Sequence, residues 1–425
     1  MNPAAAMAPG VAAQKREPLI GLPTLMTMAF RGVDLTPLGQ RLIARAQADP
    51  ADANALLDLS VVLQLKESRE IGLAAQAQAL QLQQLYRLPA RAGAAAIRLL
   101  ALMAPGDLMA NAPLEFLLQD SDVALDMLYL VPGMPFPPLP AHDLIIIAVC
   151  ESDQNRALLR QLAMLAPSWP CPVLNAPGAI GQTAREAAHA VLASAPGVDI
   201  PASARIGRHD AARLGAGELA PGDVLAHGAF PLIIRPVDSH AGHGLMKIDA
   251  PVALGEYLQA MPEPEFLVSQ FVDYRGADGL YRKYRVALID GEPYAVHMGI
   301  SAQWMIHYLN AGMSERAEKR AEEAHFMATF DAGFARRHAD GLRAIAARMA
   351  LDYVVIDCAE TRQGRLLLFE LDTGAVVHAM DPVELFAYKR PQMHKVFAAF
   401  RGLLARALAR DKASRRGSAP APRRD

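Results

Sequence analysis

The sequence predicts an α/β fold in which a helical N-terminal segment precedes a parallel-sheet domain and a larger α+β domain. Its 425 residues exceed the roughly 250 to 300 at which a single hydrophobic core stops growing, so two or three domains are expected. Apolar residues follow helical spacing at first, and from Ala96 short strand-like runs alternate with helical segments. These two patterns predict the α/β fold class, and the individual segments of the chain support it.

The first part of the chain predicts helices without a sheet. Residues 1–22 are rich in Ala and Pro and lack periodicity, so we expect them to be disordered. In residues 23–94 apolar side chains recur every three or four positions, which predicts two or three packed helices. The stretch ADPADANALLDLS resembles a tetratricopeptide helix pair, but one and a half such units cannot form a stable array. We therefore expect this segment to dock on the rest of the protein or on a second subunit.

Residues 95–183 predict a Rossmann-like parallel sheet. The apolar runs IRLLALMA, DMLYLVP, DLIIIAVC and CPVLN are separated by helical or Pro/Gly-rich pieces, as in sheets covered on both faces. Ligands of such sheets bind at the carboxyl ends of the strands, where APGDLMANAP follows the first run and offers Asn111. No G-x-G-x-x-G follows that strand, so a dinucleotide site is not supported.

Composition excludes several classes of function. Lys and Arg total 42 against 44 Asp and Glu, so no net positive field exists to bind nucleic acid or an anionic membrane. No apolar run reaches the roughly 18 residues of a membrane span. Cys150, Cys171 and Cys358 lie far apart without a Cys-x-x-Cys pair, which argues against a disulfide framework or a thiolate zinc site. We expect a cytoplasmic protein.

Residues 184–408 predict a second, α+β domain. The strand-like runs FPLIIRP, EFLVSQFV and YRKYRVALIDGEPYAVHMG precede a helical region from Ser314 to Met349, and a hairpin and an apolar helix follow. Asp290-Gly291 is a strong hairpin turn signal. Residues 409–425 form a basic, Pro/Ser-containing tail that we expect to be disordered.

The hairpin DCAETRQGRLLLFELD is the most informative segment. If Gln363-Gly364 form a two-residue turn, antiparallel pairing sets Asp357 opposite Glu370, with β-carbons about 5 Å apart. Because strand side chains alternate, Asp372 joins Glu370 on that face. A one-residue slip of register would move Glu370 and Asp372 to the other face.

Three carboxylates on one small face predict a metal site. Like charges placed opposite each other destabilise a sheet, and desolvation adds to the penalty, so something must neutralise them. A divalent cation does so, and all-oxygen ligation indicates Mg²⁺, with Mn²⁺ as the second option. The simpler alternative, acids that face solvent, loses weight because the flanking VVID and LLLFE residues are apolar.

At this hairpin the chain resembles the ATP-grasp superfamily, of the glutathione synthase and D-alanine ligase type, over Ile180 to Leu408. In that family an acid on one strand and a Glu-x-Asn on the next hold two magnesium ions on the phosphates of ATP. Asp357 and Glu370 match the first two ligands, whereas Asp372 stands where Asn is usual. The resemblance implies ATP and Mg²⁺ as cofactors and leaves the metal stoichiometry open.

Within this resemblance IIRPVDSHAGHGL corresponds to a phosphate-binding lid, placed at about residues 230–270. Arg235 supplies a fixed positive charge, and backbone N–H groups freed by Gly242 and Gly244 can wrap phosphate oxygens. Taken alone the segment is a solvated turn, and the downstream carboxylates make a lid the better interpretation. The implied ATP contacts, of which the last three form the linker past the adenine ring, are Arg185, Arg235, Ser239, His240, Gly242, Gly244, Lys247, Gln270, Phe271 and Val272.

The segment YRKYRVALIDGEPYAVHMG resembles the Asp-x-Arg hairpin of the family. Arg285 occupies the arginine position, and the resemblance implies that Arg285 and Arg235 are the catalytic residues, with Arg285 on the transferred phosphoryl group. A surface ion pair is the alternative for Arg285. Substrate contacts are expected from Lys283, His297, Trp304, His307 and Asn111. A lone histidine is, however, more often structural than functional.

The resemblance implies an ATP- and Mg²⁺-dependent ligase that activates a carboxylate as an acyl-phosphate and joins it to an amine of an amino acid or peptide. Two alternatives stay open: an ATP-grasp kinase that stops at phosphoryl transfer, and a nucleotide-binding scaffold that recruits a peptide or protein through its helical N-terminus. A homodimer is a further expectation from the family. The sequence leaves the carboxylate and the nucleophile open, because acceptor pockets are built from variable loops.

Overall fold

The described part of the chain confirms an α/β fold. A computed structural model describes residues 16–239 and 242–417, and this part contains helices and three sheets. The chain divides into two compact units after Tyr86, whereas the sequence predicted a boundary after residue 94. None of the helices in the described residues combines the length and the apolar character needed to cross a membrane.

The first unit consists of helices that pack around a small apolar core containing Leu25, Leu42 and Val62. The helices are α1 (Leu22–Phe30), α2 (Thr36–Ala48), α3 (Ala53–Leu65) and α4 (Arg69–Leu82). Helices α3 and α4 pack closely because residue 72 is a glycine: a β-carbon there would lie 2.8 Å from Cγ of Gln64. The predicted helices are confirmed, and the tetratricopeptide resemblance stays a prediction.

The segment before α1 is ordered from residue 16 onward. Arg16 forms an ion pair with Asp49, and the backbone N–H of Ile20 donates to the Asp58 carboxylate at 2.8 Å. Asp58 is buried, and burial raises its pKa to about 6 despite this donor. The predicted disorder of residues 1–22 is therefore wrong for residues 16–22, and residues 1–15 lie outside the described residues.

The second unit begins with a five-stranded sheet of order β1-β3-β2-β4-β5. Its strands are β1 (Leu85–Leu88), which contains the division between the units, β2 (Ile97–Met103), β3 (Val123–Tyr129), β4 (Leu144–Ile147) and β5 (Val173–Leu174). Strand β2 pairs in parallel with β3 and β4, and β4 pairs in parallel with β5. The helices along this part are α5 (Leu114–Leu117), α6 (Arg156–Leu165), α7 (Pro177–Ile180) and α8 (Arg185–Leu192). Strand β4 is buried along its whole length, so the predicted covered parallel sheet is confirmed.

Strand β6 (Val198–Asp199) leads into a four-stranded antiparallel sheet of order β7-β10-β8-β9. Its strands are β7 (Ser203–Gly207), β8 (Leu232–Pro236), β9 (Met246–Ile248) and β10 (Glu265–Gln270), and its helices are α9 (Arg208–Gly215), α10 (Pro221–Val224) and α11 (Pro251–Ala260). One core with Leu214, Leu254 and Phe266 joins the sheet to α9 and α11. The segment IIRPVDSHAGHGL thus connects two adjacent strands of this sheet.

The last sheet has the order β12-β11-β13-β14-β6, and only β6 in it is paired in parallel. Its other strands are β11 (Tyr281–Ile289), β12 (Glu292–Ser301), β13 (Tyr353–Glu360) and β14 (Leu366–Asp372). The remaining helices are α12 (Ala317–Ala328), α13 (Ala339–Met349), α14 (Val383–Phe386) and α15 (Lys389–Gly417). Because α15 runs to Gly417, the predicted disorder of residues 409–425 is wrong for residues 409–417, and residues 418–425 lie outside the described residues.

Asn175 ties the parallel sheet to β13. Its side chain accepts from the backbone N–H of Tyr353 and donates to the carbonyl of Tyr353, both at 2.9 Å. Its own N–H donates to Asp352 at 2.7 Å. Asn175 is fully buried, and it satisfies the first residue of β13, which lies beyond the last residue paired with β14. This contact fixes the parallel sheet against the sheet that carries the candidate site.

Replacing Asn175 with Ala should lower the free energy of unfolding by about 1–3 kcal/mol, because it leaves the N–H and carbonyl of Tyr353 buried without partners. Urea unfolding measures this change. Gln363→Ala, at an exposed turn position, is the matched control and should change stability little. An equal, small effect of both substitutions would show that Asn175 does not hold β13.

Candidate active site

The hairpin of β13 and β14 has the carboxylate register that the sequence predicted. Asp357 lies opposite Glu370, and Val355 lies opposite Asp372. Directly paired residues share a face of the sheet, and Asp372 follows Glu370 at the strand period of two. The three acids therefore come from one face and one end of the hairpin.

The turn of this hairpin differs from the predicted two-residue turn. The N–H of Thr361 donates to the carbonyl of Arg365, so three residues lie between the paired ends. Gly364 takes a left-handed φ of 73° there. Cys358 then pairs with Leu368, and a register shift between Asp357 and Cys358 leaves Phe369 as an extra residue. The longer turn and the β-bulge compensate each other, so the predicted pairing of the acids is confirmed although the predicted turn is wrong.

Four chemically active side chains form a row across four adjacent strands. Arg285 of β11 lies opposite Asp357, and His297 of β12 lies opposite Arg285. We call His297, Arg285, Asp357 and Glu370 the charged row. Lys283 precedes Arg285 by two positions on β11 and therefore lies on the same face. Each of these residues was predicted separately from the sequence as a site residue. The pairing of β11 with β13 brings their side chains to one face of the sheet.

Asp357 is neutralised by cations of the protein. Nε of Arg285 lies 2.7 Å from Oδ1 of Asp357, its Nη2 lies 3.0 Å from Oδ2, and Nζ of Lys283 lies 2.6 Å from Oδ2. Asp357 is 5% exposed, and although burial opposes ionisation, the Arg285 and Lys283 charges hold its pKa well below the usual range. Both oxygens of this carboxylate are therefore occupied.

Glu370 lies beside two guanidinium groups. Nη2 of Arg185, at the start of α8, donates to Oε1 of Glu370 at 2.6 Å. Against the effect of burial, Arg185 and then Arg235 lower the pKa of Glu370. Burial and the charge of Arg185 lower the pKa of Arg235 to about 10. Arg185 and Arg235 balance the Glu370 and Asp372 carboxylates here, and their guanidinium groups are of the kind that binds phosphate oxygens.

Asp372 is the least compensated acid of the site. Its Oδ1 accepts from the N–H of Gly374 at 2.6 Å, and burial together with the charge of Glu370 raises its pKa to about 6. The following residue, Thr373, lies against Cys150 after β4, with 3.6 Å between Oγ1 and Sγ. The site thus adjoins the carboxyl ends of the parallel strands, where ligands of such sheets bind.

Arg235 contacts the start of the glycine-containing loop and its charge acts on Glu370 of this site. Nε of Arg235 donates to Oγ of Ser239 at 2.9 Å, and its guanidinium also contacts the Ser239 carbonyl. Gly242 and Gly244 have φ values of 77° and 62°, and a β-carbon on Gly244 would lie 2.6 Å from Cδ of Pro236. The hydroxyl of Ser239 donates to the Pro236 carbonyl, so it is engaged within the loop. The predicted ATP contact His240 lies outside the described residues.

The linker after β10 is held by the backbone near Pro231. The amide of Gln270 accepts from the N–H of Ala229 and donates to the carbonyl of Pro231, each at 3.0 Å. The N–H of Phe271 also donates to Pro231, at 3.2 Å. These groups are therefore engaged within the fold, and of the predicted adenine contacts the side chains of Phe271 and Val272 are the better candidates.

An aromatic group joins this linker to the predicted substrate side. The ring of Phe271 meets that of Trp304 edge to face, with centroids 5.8 Å apart, and Nζ of Lys247 lies 5.0 Å from the Phe271 centroid. Lys247 also pairs with Asp249 at 2.6 Å. The Trp304 carbonyl accepts from the hydroxyl of Tyr274, which fixes the segment before His307.

The remaining substrate candidates differ in their surroundings. Partial burial of the His307 side chain and the Lys283 and Arg285 charges lower its pKa, so it lies near the charged row. The amide of Asn111 accepts from the N–H of Ala104 at 2.7 Å and donates to its carbonyl at 2.8 Å. Asn111 therefore stabilises the loop after β2, and its role as a substrate contact stays a prediction.

A buried polar network behind the row was not predicted. Glu323 is fully buried and accepts from the N–H of Met298 at 3.0 Å and from the hydroxyls of Tyr308 and Tyr388 at 3.2 and 2.6 Å. Nζ of Lys389 donates to the Tyr308 hydroxyl at 2.5 Å. The sequence contained a sign that Glu323 is buried, because helical spacing places it on the same face of α12 as Phe326 and Met327.

The acids fit a divalent cation only in part. Within residues 16–239 and 242–417 no group of three His, Cys, Asp or Glu side chains is arranged to hold a metal ion. Asp357 is bound on both oxygens by cations, whereas Arg185 contacts only Oε1 of Glu370 and Gly374 only Oδ1 of Asp372. Glu370 and Asp372 keep oxygen donors of the kind that Mg²⁺ and Mn²⁺ prefer. The predicted trio is thus reduced to a pair in this conformation.

Comparisons with known proteins give structural likenesses only. No family model and no curated protein sequence matches the chain. The structure is similar to the VanG D-Ala:D-Ser ligase from Enterococcus faecalis, with 13% identity, 72% of this chain and 99% of that one covered, and a TM-score of 0.44. The D-alanine-D-alanine ligase from Coxiella burnetii gives 10% identity, coverages of 75% and 97%, and a TM-score of 0.46.

A RimK domain ATP-grasp protein from Sphaerobacter thermophilus gives 15% identity, coverages of 72% and 98%, and a TM-score of 0.38. Solved ATP-grasp proteins are thus among the structures that the chain resembles. The geometry of the charged row, rather than these likenesses, supports a function for the chain.

Replacing Asp372 with Asn should stabilise the metal-free protein at pH 7.5. The folded-state pKa of about 6 exceeds the ordinary 3.8, so stability is lost as pH rises through this window, and the loss is complete above it. Asn does not ionise, and we expect a gain of about 1–3 kcal/mol at pH 7.5 and little difference at pH 4.

Urea unfolding in EDTA at both pH values measures this difference. Asp331→Asn, at an exposed position, is the control and should show no such pH dependence. A destabilising effect of Asp372→Asn at pH 7.5 would contradict the assigned environment of Asp372.

Proposed function

We propose that the protein is an ATP- and divalent-metal-dependent ligase that activates a carboxylate as an acyl-phosphate and joins it to an amine. The observation that carries this proposal is the contact of Arg185 with Glu370 at 2.6 Å, with the charge of Arg235 acting on the same carboxylate and Gly242 and Gly244 in the loop after Arg235. Guanidinium groups bind phosphate oxygens, and left-handed glycine positions offer backbone N–H groups to them.

Glu370 and Asp372 are the residues that would hold Mg²⁺ or Mn²⁺ in this proposal. A bound divalent ion supplies charge neutralisation for the phosphate oxygens and for the under-compensated Asp372. Asp357 becomes available as a third oxygen ligand only when Arg285 and Lys283 release it. Those two cations are then freed to contact the negatively charged substrate groups.

Arg285 and Lys283 act on the reacting groups in the proposed mechanism. A substrate carboxylate oxygen attacks the terminal phosphorus of ATP, the bond to ADP breaks, and an acyl-phosphate forms. Together with Asp357 the two side chains carry one net positive charge, which stabilises the negative charge that develops on this face. The amine then attacks the acyl carbon, and the C–O bond to phosphate breaks. Position and charge supply most of the acceleration of the first step.

One observation favours the second candidate, a nucleotide-binding scaffold without turnover. In the described residues the acids of the charged row are paired with arginine and lysine, and no three ligands are arranged for a metal. A protein that only binds nucleotide needs the arginines and the glycine turn but not the metal pair. The kinase alternative, the cytoplasmic location, the homodimer and the peptide acceptor stay predictions.

The decisive experiment incubates the purified protein with ATP, Mg²⁺ and pools of amino acids and dipeptides, and follows ADP, phosphate and new product masses. A ligase forms ADP, phosphate and a product of matching mass. Nucleotide binding without turnover in any pool supports the nucleotide-binding scaffold. An absence of nucleotide binding contradicts the ligase proposal.

Replacing Glu370 with Gln should abolish turnover and weaken Mg²⁺-dependent ATP binding by at least about tenfold, about 1.4 kcal/mol, because one charged metal ligand is lost. Isothermal titration with and without Mg²⁺ measures the affinity. Glu384→Gln, at an exposed position of α14, serves as the control. Unchanged Mg²⁺ dependence in Glu370→Gln would remove this residue from the metal site.

Replacing Arg235 with Ala should weaken ATP binding while the fold stays intact, because the guanidinium orders Ser239 and adds charge beside Glu370. We expect a loss of about tenfold or more in affinity, with the Lys variant in between, since Lys keeps the charge but not the fork. Arg343→Ala, at an exposed site on α13, is the control. Equal affinities for Arg235→Ala and Arg343→Ala would contradict a phosphate role.

A further inference from the structure

His297 differs from the other members of the charged row because its ring nitrogen Nδ1 is buried and forms no hydrogen bond within the described residues. Arg285, Asp357 and Glu370 are each paired at 2.6 to 3.0 Å. Buried polar atoms in folded proteins are nearly always hydrogen-bonded, so such an exception needs an explanation. His297 as a whole is partly exposed, so the ring also reaches accessible space.

The ring of His297 is held in place without use of its nitrogens. It packs against the ring of Tyr308, with centroids 4.4 Å apart. Tyr308 is in turn fixed through its hydroxyl, which donates to Glu323 and accepts from Lys389. Glu323 also accepts from the N–H of Met298, the residue after His297. The orientation of the imidazole is therefore set by its neighbours, and within the described residues no side chain or backbone group hydrogen-bonds to the buried Nδ1.

The charges around His297 keep the imidazole neutral. Burial comes first, and Arg285 and Lys283 from β11 and Lys389 from α15 add to it, so the pKa of His297 lies well below its ordinary value. Asp357 from β13 opposes this shift but does not reverse it. A neutral imidazole offers a lone pair, and the cations beside it disfavour an ammonium group.

We infer that His297 is a catalytic residue of the second half-reaction: its imidazole accepts a hydrogen bond from the amine nucleophile and takes the amine proton as the C–N bond forms. The inference rests on the proposed ligase function. The amine nitrogen gives its electron pair to the acyl carbon, the C–O bond breaks, phosphate leaves with that bond pair, and the proton moves to the ring. No oxidant or further reactant is needed.

The nitrogen of an amine becomes much more acidic once it has bonded to an acyl carbon, so the proton acceptor need not match the basicity of the free amine. Because the surrounding cations disfavour an imidazolium ion, the ring passes the proton on to the departing phosphate or to solvent. The surrounding Arg285, Lys283 and Lys389 charges also select the uncharged form of the amine, which is the form that attacks. The position of His297, opposite Arg285 at one end of the charged row, places the nucleophile on the side away from Glu370.

The test separates the two half-reactions with hydroxylamine, a nucleophile that is largely unprotonated near neutral pH and captures acyl-phosphates without a base. The full-length protein is given ATP, Mg²⁺ and amino-acid and dipeptide pools, with hydroxylamine in one arm and without it in the other. Hydroxamate reports acyl-phosphate formation, and product mass reports amine ligation. The variants are His297→Phe and His297→Gln, with His325→Asn, at an exposed position of α12, as the control.

We expect both His297 variants to bind ATP and to form hydroxamate within about twofold of the wild type, while amine ligation falls by about 100-fold or more. Thermal unfolding and ATP titration establish that they fold. Full amine ligation in either variant, or an equal loss of hydroxamate and ligation, overturns the role of His297 alone. If the wild type forms no hydroxamate with any pool, the proposed ligase function itself fails and this inference fails with it.

Discussion

The candidate site depends on the burial of one carboxylate, that of Asp357, in the middle of a sheet. An isolated buried carboxylate is far too costly to persist, and an ion pair offsets the penalty only with good geometry. Arg285 binds Asp357 through two nitrogens and Lys283 binds its second oxygen, so the acid is fully satisfied. Both cations come from β11, which requires β11 to lie directly beside β13. The strand order of the sheet and the neutralisation of its buried carboxylate therefore depend on each other.

This constraint organises the rest of the site by position. Once β11 lies between β12 and β13, His297 falls beside Arg285 on one side, and Glu370 falls beside Asp357 on the other. The row thus has two ends of different character. Near Glu370 lie arginines from α8 and β8, and at the other end the ring of His297 lies against an aromatic and buried polar network. Phosphate chemistry suits the first end, and an uncharged nucleophile suits the second.

The sequence predicted the local features of this arrangement better than the long-range ones. The opposition of Asp357 and Glu370 was predictable because one hairpin determines it, although a longer turn and a bulge at Phe369 had to cancel for the result to hold. The pairing of Arg285 with Asp357 joins strands separated by about 70 residues, and no local pattern encodes it. The extension of α15 past residue 408 was missed because a basic tail gives no apolar signal.

The predicted metal site had a sound premise, that three clustered carboxylates must be neutralised. Its conclusion, that a metal neutralises them, was incomplete. Converging carboxylates must be neutralised, but a protein that binds and releases a metal nucleotide must also be stable without it. The structure meets this requirement with its own cations: Arg285 and Lys283 on Asp357, and Arg185 on Glu370. In the proposed function, a metal held by Glu370 and Asp372 would weaken the attraction of Glu370 for Arg185 and leave that guanidinium available to a phosphate. Metal and nucleotide should therefore bind cooperatively, because each relieves the charge imbalance that the other creates.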